Sequence, residues 1–353
     1  MLSERALIEQ IAGRAQGEAP DLLQGIGDDC AVIAGPANTV WLLSTDTLVA
    51  GVHFDLAWHP PRLLGRKAVA VNLSDVAAMG GEPRFLLLAL ALPATFPAAD
   101  TEAILCGLYE ACRESACLLV GGDTVHSPVL ALSLTVIGQQ PKAEVVYRHG
   151  ARVGDLIWVS GWLGSAAAGL ELCRRGLNET GQAEFAPLIS SHLTPSPRCR
   201  LGRELSRRGL AHAMQDISDG IATDLAHICT ASQIGARIQA ELLPSHPLLS
   251  RAAEQLGLVP LDLMLRGGED YELLWTASPG DTAAILALAE EMMLPCRQIG
   301  TIVDRPGVQL CQQEPHGTTT TVREIAYQGY DHFSAGTTNE PVSHSFAATR
   351  RQP

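Results

Sequence analysis

Lysine is almost missing from this chain of 353 residues: Lys67 and Lys142 are the only two. A phosphate site built here cannot lean on ammonium groups and must use arginine, backbone N–H groups or metal. Bases are few altogether, 25 Lys and Arg against 38 Asp and Glu, so the formal charge is −13. That balance lacks the basic patches whose counterion release drives nucleic-acid binding. Nine cysteines, an odd number without a C-x-x-C pair, make no disulfide framework in a chain this long and point to a reducing cytosol. No apolar span approaches the ~20 residues of a membrane helix; the longest run, Phe85 to Pro93, is strand-sized. The N-terminal segment carries acids where a signal peptide has a basic region. A soluble cytoplasmic protein, with neither nucleic acid nor membrane as partner, is expected. No G-x-x-x-x-G-K-[ST] occurs, and no G-x-G-x-x-G opens a helix after a strand, so P-loop and dinucleotide fingerprints are both absent.

What is present is an alternation of strand and helix patterns. At roughly 100–200 residues per domain the length predicts two domains. The pattern predicts a first helix with Ser3 as N-cap, a strand at 40–44, and a helix opened by Pro60-Pro61 and stopped by Gly80-Gly81. A fully buried strand at 85–92 follows, then a helix at 98–115 and strands at 118–120 and 129–138. Turn-forming residues at 148–152 mark a boundary. Beyond it come strands at 156–160, up to 215, 236–242, 271–276 and 297–303, and helices at 164–175, 198–208, 220–232, 247–256 and 281–291. The division expected is an N-terminal α/β domain over 1–150, a C-terminal α/β domain over 151–333 and a disordered tail over 334–353.

The acids concentrate in short, Gly- or Ser-flanked clusters, mostly where a strand or apolar run ends, the place where α/β proteins hold ligands. Asp29, Asp46, Asp75, Asp123, Asp216 and Asp219 carry six of the thirteen net negative charges. One such Asp alone is most simply a turn or N-cap residue. Five clusters of the same character weaken that explanation. If they converge they cannot all ionise without cations, and hard oxygen ligands favour Mg²⁺.

The runs GIGDDCA (25–31), STDTLV (44–49) with GVHF (51–54), VNLSDVAAMG (71–80), GGDT (121–124), DISDG (216–220) and GGEDY (267–271) resemble the thiamine-monophosphate kinase family, in its order, over about residues 3–333. That family sits in a superfamily of ATP-using synthetases related to aminoimidazole-ribonucleotide synthetase. The resemblance implies a two-domain synthetase-like α/β (α+β) fold, with an N-terminal sheet that pairs with a second subunit and a C-terminal domain that covers the nucleotide. It implies transfer of phosphate from ATP to thiamine monophosphate, giving thiamine diphosphate, in a homodimer. It also implies that Asp29, Ser44, Thr45, Asp46, Asp75, Asp123, Asp216 and Asp219 surround several Mg²⁺ ions and that Gly122, Arg148 and Ser218 touch ATP. His53, Glu269 and, in the GYDHF segment at 329–333, Tyr330 would touch the acceptor; Tyr330 stands where the family often has tryptophan.

Each residue also has a plain structural alternative. His53 could cap a loop, Glu269 and Asp270 could cap beside Gly267-Gly268, and Arg148 could pair with Glu144 at the surface. An acceptor that is already a phosphate monoester needs no strong base, so direct in-line transfer is expected and no general base is assigned. Two other functions stay open: a sister ATP-dependent synthetase such as a selenophosphate synthetase, with Cys30 beside Asp29 as its thiol, and a catalytically silent nucleotide-binding scaffold. A carbamoyl-dehydrating relative would use a C-terminal cysteine, whereas this chain ends in proline.

Overall fold

The computed structural model describes residues 3–15, 17, 19–177, 183–313, 320–330 and 332. By contact it falls into two compact units. In the smaller one, α1 (Glu4–Arg14) is capped by the Ser3 hydroxyl, which accepts from the Ala6 N–H, and the His332 N–H donates to Glu4. The tail expected from 334 lies outside the described residues. The larger unit, Gly17–Tyr330, holds two sheets and the helices that cover them.

The first sheet has six strands: β1 (Leu22–Gln24), β2 (Ala31–Ala34), β3 (Thr39–Val49), β4 (Glu82–Leu92), β5 (Leu118–His126) and β6 (Ala131–Pro141). Their order is β1-β2-β3-β6-β4-β5, antiparallel except for the β4–β5 pair at the edge. One face is covered by α2 (Pro61–Ala78) and α3 (Ala98–Glu114). These two helices approach backbone to backbone: a Cβ on Gly65 would meet the Ile104 carbonyl at 2.0 Å, and one on Gly107 the Arg62 carbonyl at 1.8 Å. Only glycine fits at either crossing point.

β4 departs from the expected burial. Leu86, Leu88 and Leu90 are buried under the helices, whereas Leu87 and Ala89 point to the other, open face. Successive side chains of a strand alternate sides, and the described residues cover only one of them. The strand is half-buried, not fully buried.

The second sheet has seven strands, β7 (Leu156–Ser160), β8 (Ala213–Asp216), β9 (Gly235–Gln239), β10 (Leu273–Ala277), β11 (Cys296–Val303), β12 (Gly307–Gln313) and β13 (Thr320–Glu324), in the order β13-β12-β9-β11-β7-β10-β8. It is covered on both faces. Ile157 and Val159 of β7 join a core with α7 (Ile221–Ser232), while Trp158 between them packs in another core with Ala77 and Ala78 from the end of α2. So α2 is wedged between the two sheets, which is why 13 of its 18 residues are buried and no polar face is visible along it. The remaining helices are α4 (Ser165–Arg174), α5 (Ala186–Leu193), α6 (Cys199–Arg207), α8 (Leu249–Leu256), α9 (Pro260–Arg266) and α10 (Thr282–Met292). The strand pattern had shown neither β12 nor β13, and α5 and α9 are too short to display a helical period.

Candidate functional site

The wedge position of α2 builds the site. Ser74 and Asp75 are neighbours on the helix, about 100° apart around its axis, and they serve different sheets. Asp75 accepts from the Ser44 hydroxyl of β3 at 2.5 Å, and the Ser74 hydroxyl donates to Asp216 at the end of β8 at 2.6 Å. Asp29, from the turn before β2, completes a set in which carboxylate oxygens of Asp29, Asp75 and Asp216 all lie within 4.8 Å of one another. Asn72 adds support from the same helix: its side-chain oxygen accepts from the Asp46 N–H at 3.2 Å, and its amide group donates to the Ala68 carbonyl at 2.9 Å.

The electrostatics of this cluster are those of a site short of positive charge. Burial pushes the Asp216 carboxyl up to about 7, and Asp29 adds to the rise. Burial and Asp29 also lift Asp28 to about 7, against the opposing pull of Arg148. Asp75 is held well above the ordinary carboxylate range by burial and then by Asp46, Asp216 and Asp29. Asp46 is raised by burial and by Asp29. All-oxygen donors crowded in this way, with one arginine among them, suit hard divalent cations.

Arg148 is that arginine. It pairs with Asp29, Nη2 to Oδ1 at 2.7 Å and Nε to Oδ2 at 3.3 Å, and its backbone N–H donates to Asp28. The surface pairing with Glu144 considered from sequence is therefore not what forms. The burial of Asp29 draws the guanidinium inward, where a charge partner is worth more than at the surface.

Other expected residues are spread more widely. The Thr45 side chain lies on the opposite face of β3 from Asp46, as alternation requires, and donates to the Leu134 carbonyl at 2.9 Å. Asp123 lies exposed on the edge strand β5, accepting from the Thr124 N–H at 2.8 Å. Gly122 beside it has φ +152°, and a Cβ there would meet the Leu88 carbonyl at 1.8 Å. In the 216–220 loop, the Ser218 carbonyl accepts from the Glu269 N–H at 2.8 Å and the Asp219 carbonyl from the Tyr330 N–H at 2.9 Å, so both distant segments are tied to one loop. His53 Nδ1 accepts from the Val49 N–H at 3.1 Å, which leaves the ring proton on Nε2.

Sequence reading passed over several residues of this region. Asp224, in the first turn of α7, accepts from the N–H groups of Asp219 and Gly220 and shapes the loop; burial, then Asp219 and Asp216, raise its carboxyl well above the usual range. An acid in the first turn after a glycine N-cap was the available signal. Lys67, His59 and His192 had none.

Two family models match the chain: "AIR synthase related protein, N-terminal domain" over residues 27–140 and "AIR synthase related protein, C-terminal domain" over 152–311. The thiamine-monophosphate kinase of Escherichia coli strain K12 is 39% identical over 332 residues, covering 94% of this chain and 98% of that protein. The chain belongs to the thiamine-monophosphate kinase family. The crystal structure of thiamine-monophosphate kinase from Stenotrophomonas maltophilia K279a is 39% identical, with TM-score 0.73 over 88% of this chain and 96% of that one. AaThiL complexed with AMPPCP and TMP is 33% identical, with TM-score 0.78 over 89% and 96% of the two chains. Membership of the family and the two-sheet AIR-synthase-like fold thus agree with the expectation from the motifs.

Proposed function

We infer that this chain transfers the γ-phosphoryl group of ATP to thiamine monophosphate, giving thiamine diphosphate and ADP. The observation that carries the reading is the junction of Asp29 and Asp75 from the first sheet's side with Asp216 from the second, in a member of this kinase family. AaThiL, the relative with TM-score 0.78, is complexed with AMPPCP and TMP, which supports the same pair of ligands here. Incubation with ATP, Mg²⁺ and thiamine monophosphate tests it: equimolar ADP and thiamine diphosphate are expected, and a chain that binds ATP without forming thiamine diphosphate would be a scaffold or a sister synthetase.

The donor set fits Mg²⁺: Asp29, Asp46, Asp75 and Asp216 would hold it, with Ser44, Thr45, Asp123 and Asp219 contributing as the family resemblance implies. Bound there, Mg²⁺ would offset the repulsion between two polyanions and stabilise the oxygens of the group in transfer. The protein's own task is to hold these carboxylates in register. Ser44 and Ser74 do this by hydrogen bonds to Asp75 and Asp216, and Arg148 does so for Asp29. Gly122, Arg148 and Ser218 face ATP in this reading. His53, with its proton on Nε2, can donate to the acceptor phosphate, whose own oxygen is nucleophile enough to need no general base.

The sister-synthetase reading requires a reactive thiol. Cys30 is buried, and burial with the nearby Asp75 pushes its thiol well above the ordinary value, so it stays protonated and out of reach.

Tyr330, 41% exposed and tied by its backbone to Asp219, is assigned to the acceptor's ring system. Tyr330→Ala should raise KM for thiamine monophosphate roughly tenfold, as loss of one stacking contact of ~1.4 kcal/mol would, and leave KM for ATP nearly unchanged. Equal shifts in both constants would return this segment to a closing or structural role.

The open face of the first sheet supports a homodimer. Leu118, Val120 and Val125 of β5 are each more than half exposed, beside Leu87 of β4. An apolar edge of this kind is covered in a stable protein, and a two-fold axis lets one patch cover its copy. Sedimentation at micromolar concentration should give a dimer; a single 37.5 kDa species would contradict it. All nine cysteines are free and six are buried, which favours the cytoplasm, and among the described residues no helix is long and apolar enough to cross a membrane.

A further inference from the structure

One of the chain's two lysines is completely buried. Lys67 of α2 is 0% exposed, and its Nζ lies 2.9 Å from Oε1 of Glu269. His192, from the end of α5 and equally buried, places Nδ1 2.9 Å from Oε2 of the same carboxylate. Two elements far apart in sequence thus grip the two oxygens of one acid. Around them, Trp58 lies 5.4 Å and His59 6.0 Å from the His192 ring, centroid to centroid. Nε2 of His192 is buried without a hydrogen-bond partner among the described residues. Burying an ammonium and several imidazole nitrogens is unfavourable unless they serve something.

Unlike Lys67, His59 and His192, Glu269 reaches solvent, with 23% of its side chain exposed. Its backbone is strained to match, since φ is +66° at a residue with a side chain, and the strain is held by the Glu269 N–H on the Ser218 carbonyl and the Tyr271 N–H on the Ile217 carbonyl. The same helix that presents Asp75 to the acidic cluster presents Lys67 to Glu269 eight residues earlier, about 12 Å along its axis at 1.5 Å per residue. The grip on Glu269 is therefore supplied from about two turns along α2 from the residue that serves the acidic cluster.

We propose that Lys67 and His192 are positioning residues for acceptor recognition: they fix the Glu269 carboxylate, each on one oxygen, so that its remaining acceptor directions face an N–H-bearing or cationic group on the organic part of the acceptor. This rests on the function proposed above and deepens it. Burial alone would push Glu269 toward its neutral form, but Lys67 and His192 hold it well below the ordinary carboxylate range. Burial and Lys67 lower His192 from its ordinary value, and burial, Lys67 and His192 lower His59 to about 3. The groups that face the carboxylate are Lys67 from α2, His192 from α5, His59 from the loop before α2 and Tyr271 from its own loop, with Arg174 of α4 bearing on His192.

The test is a double-mutant cycle of Lys67→Met and Glu269→Gln in the full-length enzyme, read as KM for thiamine monophosphate, KM for ATP and kcat. Lys67→Met should raise KM for thiamine monophosphate at least tenfold with KM for ATP within twofold. Its kcat/KM relative to the parent should fall a further tenfold from pH 8.5 to 6.5, as Glu269, left with His192 alone, takes up a proton. Added to Glu269→Gln, Lys67→Met should cost no more than about threefold again. Effects that multiply, or equal rises in both KM values, overturn the proposal. The double variant carries no orphaned charge, so its comparison with Glu269→Gln stays readable if Lys67→Met alone folds poorly. Absence of thiamine monophosphate turnover in the parent would sink the function proposed above and not this pairing. The pairing is read independently by ¹³C titration of the Glu269 carboxyl, assigned from its loss in Glu269→Gln. It should stay ionised through pH 5 in the parent and protonate above pH 6 in Lys67→Met; identical titrations overturn it.

Discussion

Asparagine in place of Asp46 is expected to lower turnover at least about a hundredfold, the size of losing one transition-state electrostatic partner. The substitution keeps the shape of the side chain and leaves the backbone N–H on Asn72 in place. What it removes is one negative charge from a crowd of them. Because burial and Asp29 already disfavour that charge, the same substitution should leave the metal-free protein as stable as before or more so. Loss of turnover with gain of melting temperature would mark Asp46 as a residue kept for chemistry at the expense of stability. Near-normal turnover at saturating Mg²⁺ would remove it from the site.

The free protein should lose stability as the pH rises, and Mg²⁺ should restore it. Asp28 and Asp216 have ordinary values near 3.8 and are raised to about 7 in the folded chain. A carboxyl raised on folding binds its proton more tightly in the native state, so stability falls as pH climbs from the unfolded value near 4 through the folded value near 7. Over that window each carboxyl costs on the order of a few kcal/mol. Cations that bind the ionised cluster offset this cost only where it exists. Millimolar Mg²⁺ should therefore raise the melting temperature by at least about 5 °C more at pH 8 than at pH 5.5. An equal gain at both pH values would mean that the cluster is not where the metal binds.

The acidic clusters were legible because each is a short Gly- or Ser-flanked string at the end of a strand or apolar run, and such strings survive reading one residue at a time. The double service of α2 was not. Ser74 and Asp75 look alike in sequence, and only the wedge of the helix between two sheets sends one to Asp216 and the other to Ser44. Lys67 was noted only as a rarity, since nothing local distinguishes a buried lysine from one at the surface. Its partner His192 ends α5, a helix of eight residues that has no readable period. The run at 85–92 suggested burial on both sides because its composition is uniformly apolar, whereas the helices cover only the face that carries Leu86, Leu88 and Leu90.

Direct transfer between two anions at the junction of the sheets is the central proposal. Its most direct test is the stereochemical course with ATP carrying a chiral, isotopically labelled γ-thiophosphate, followed by analysis of the thiamine product. A single in-line displacement predicts inversion at phosphorus; retention would require a phosphorylated enzyme and would contradict the account.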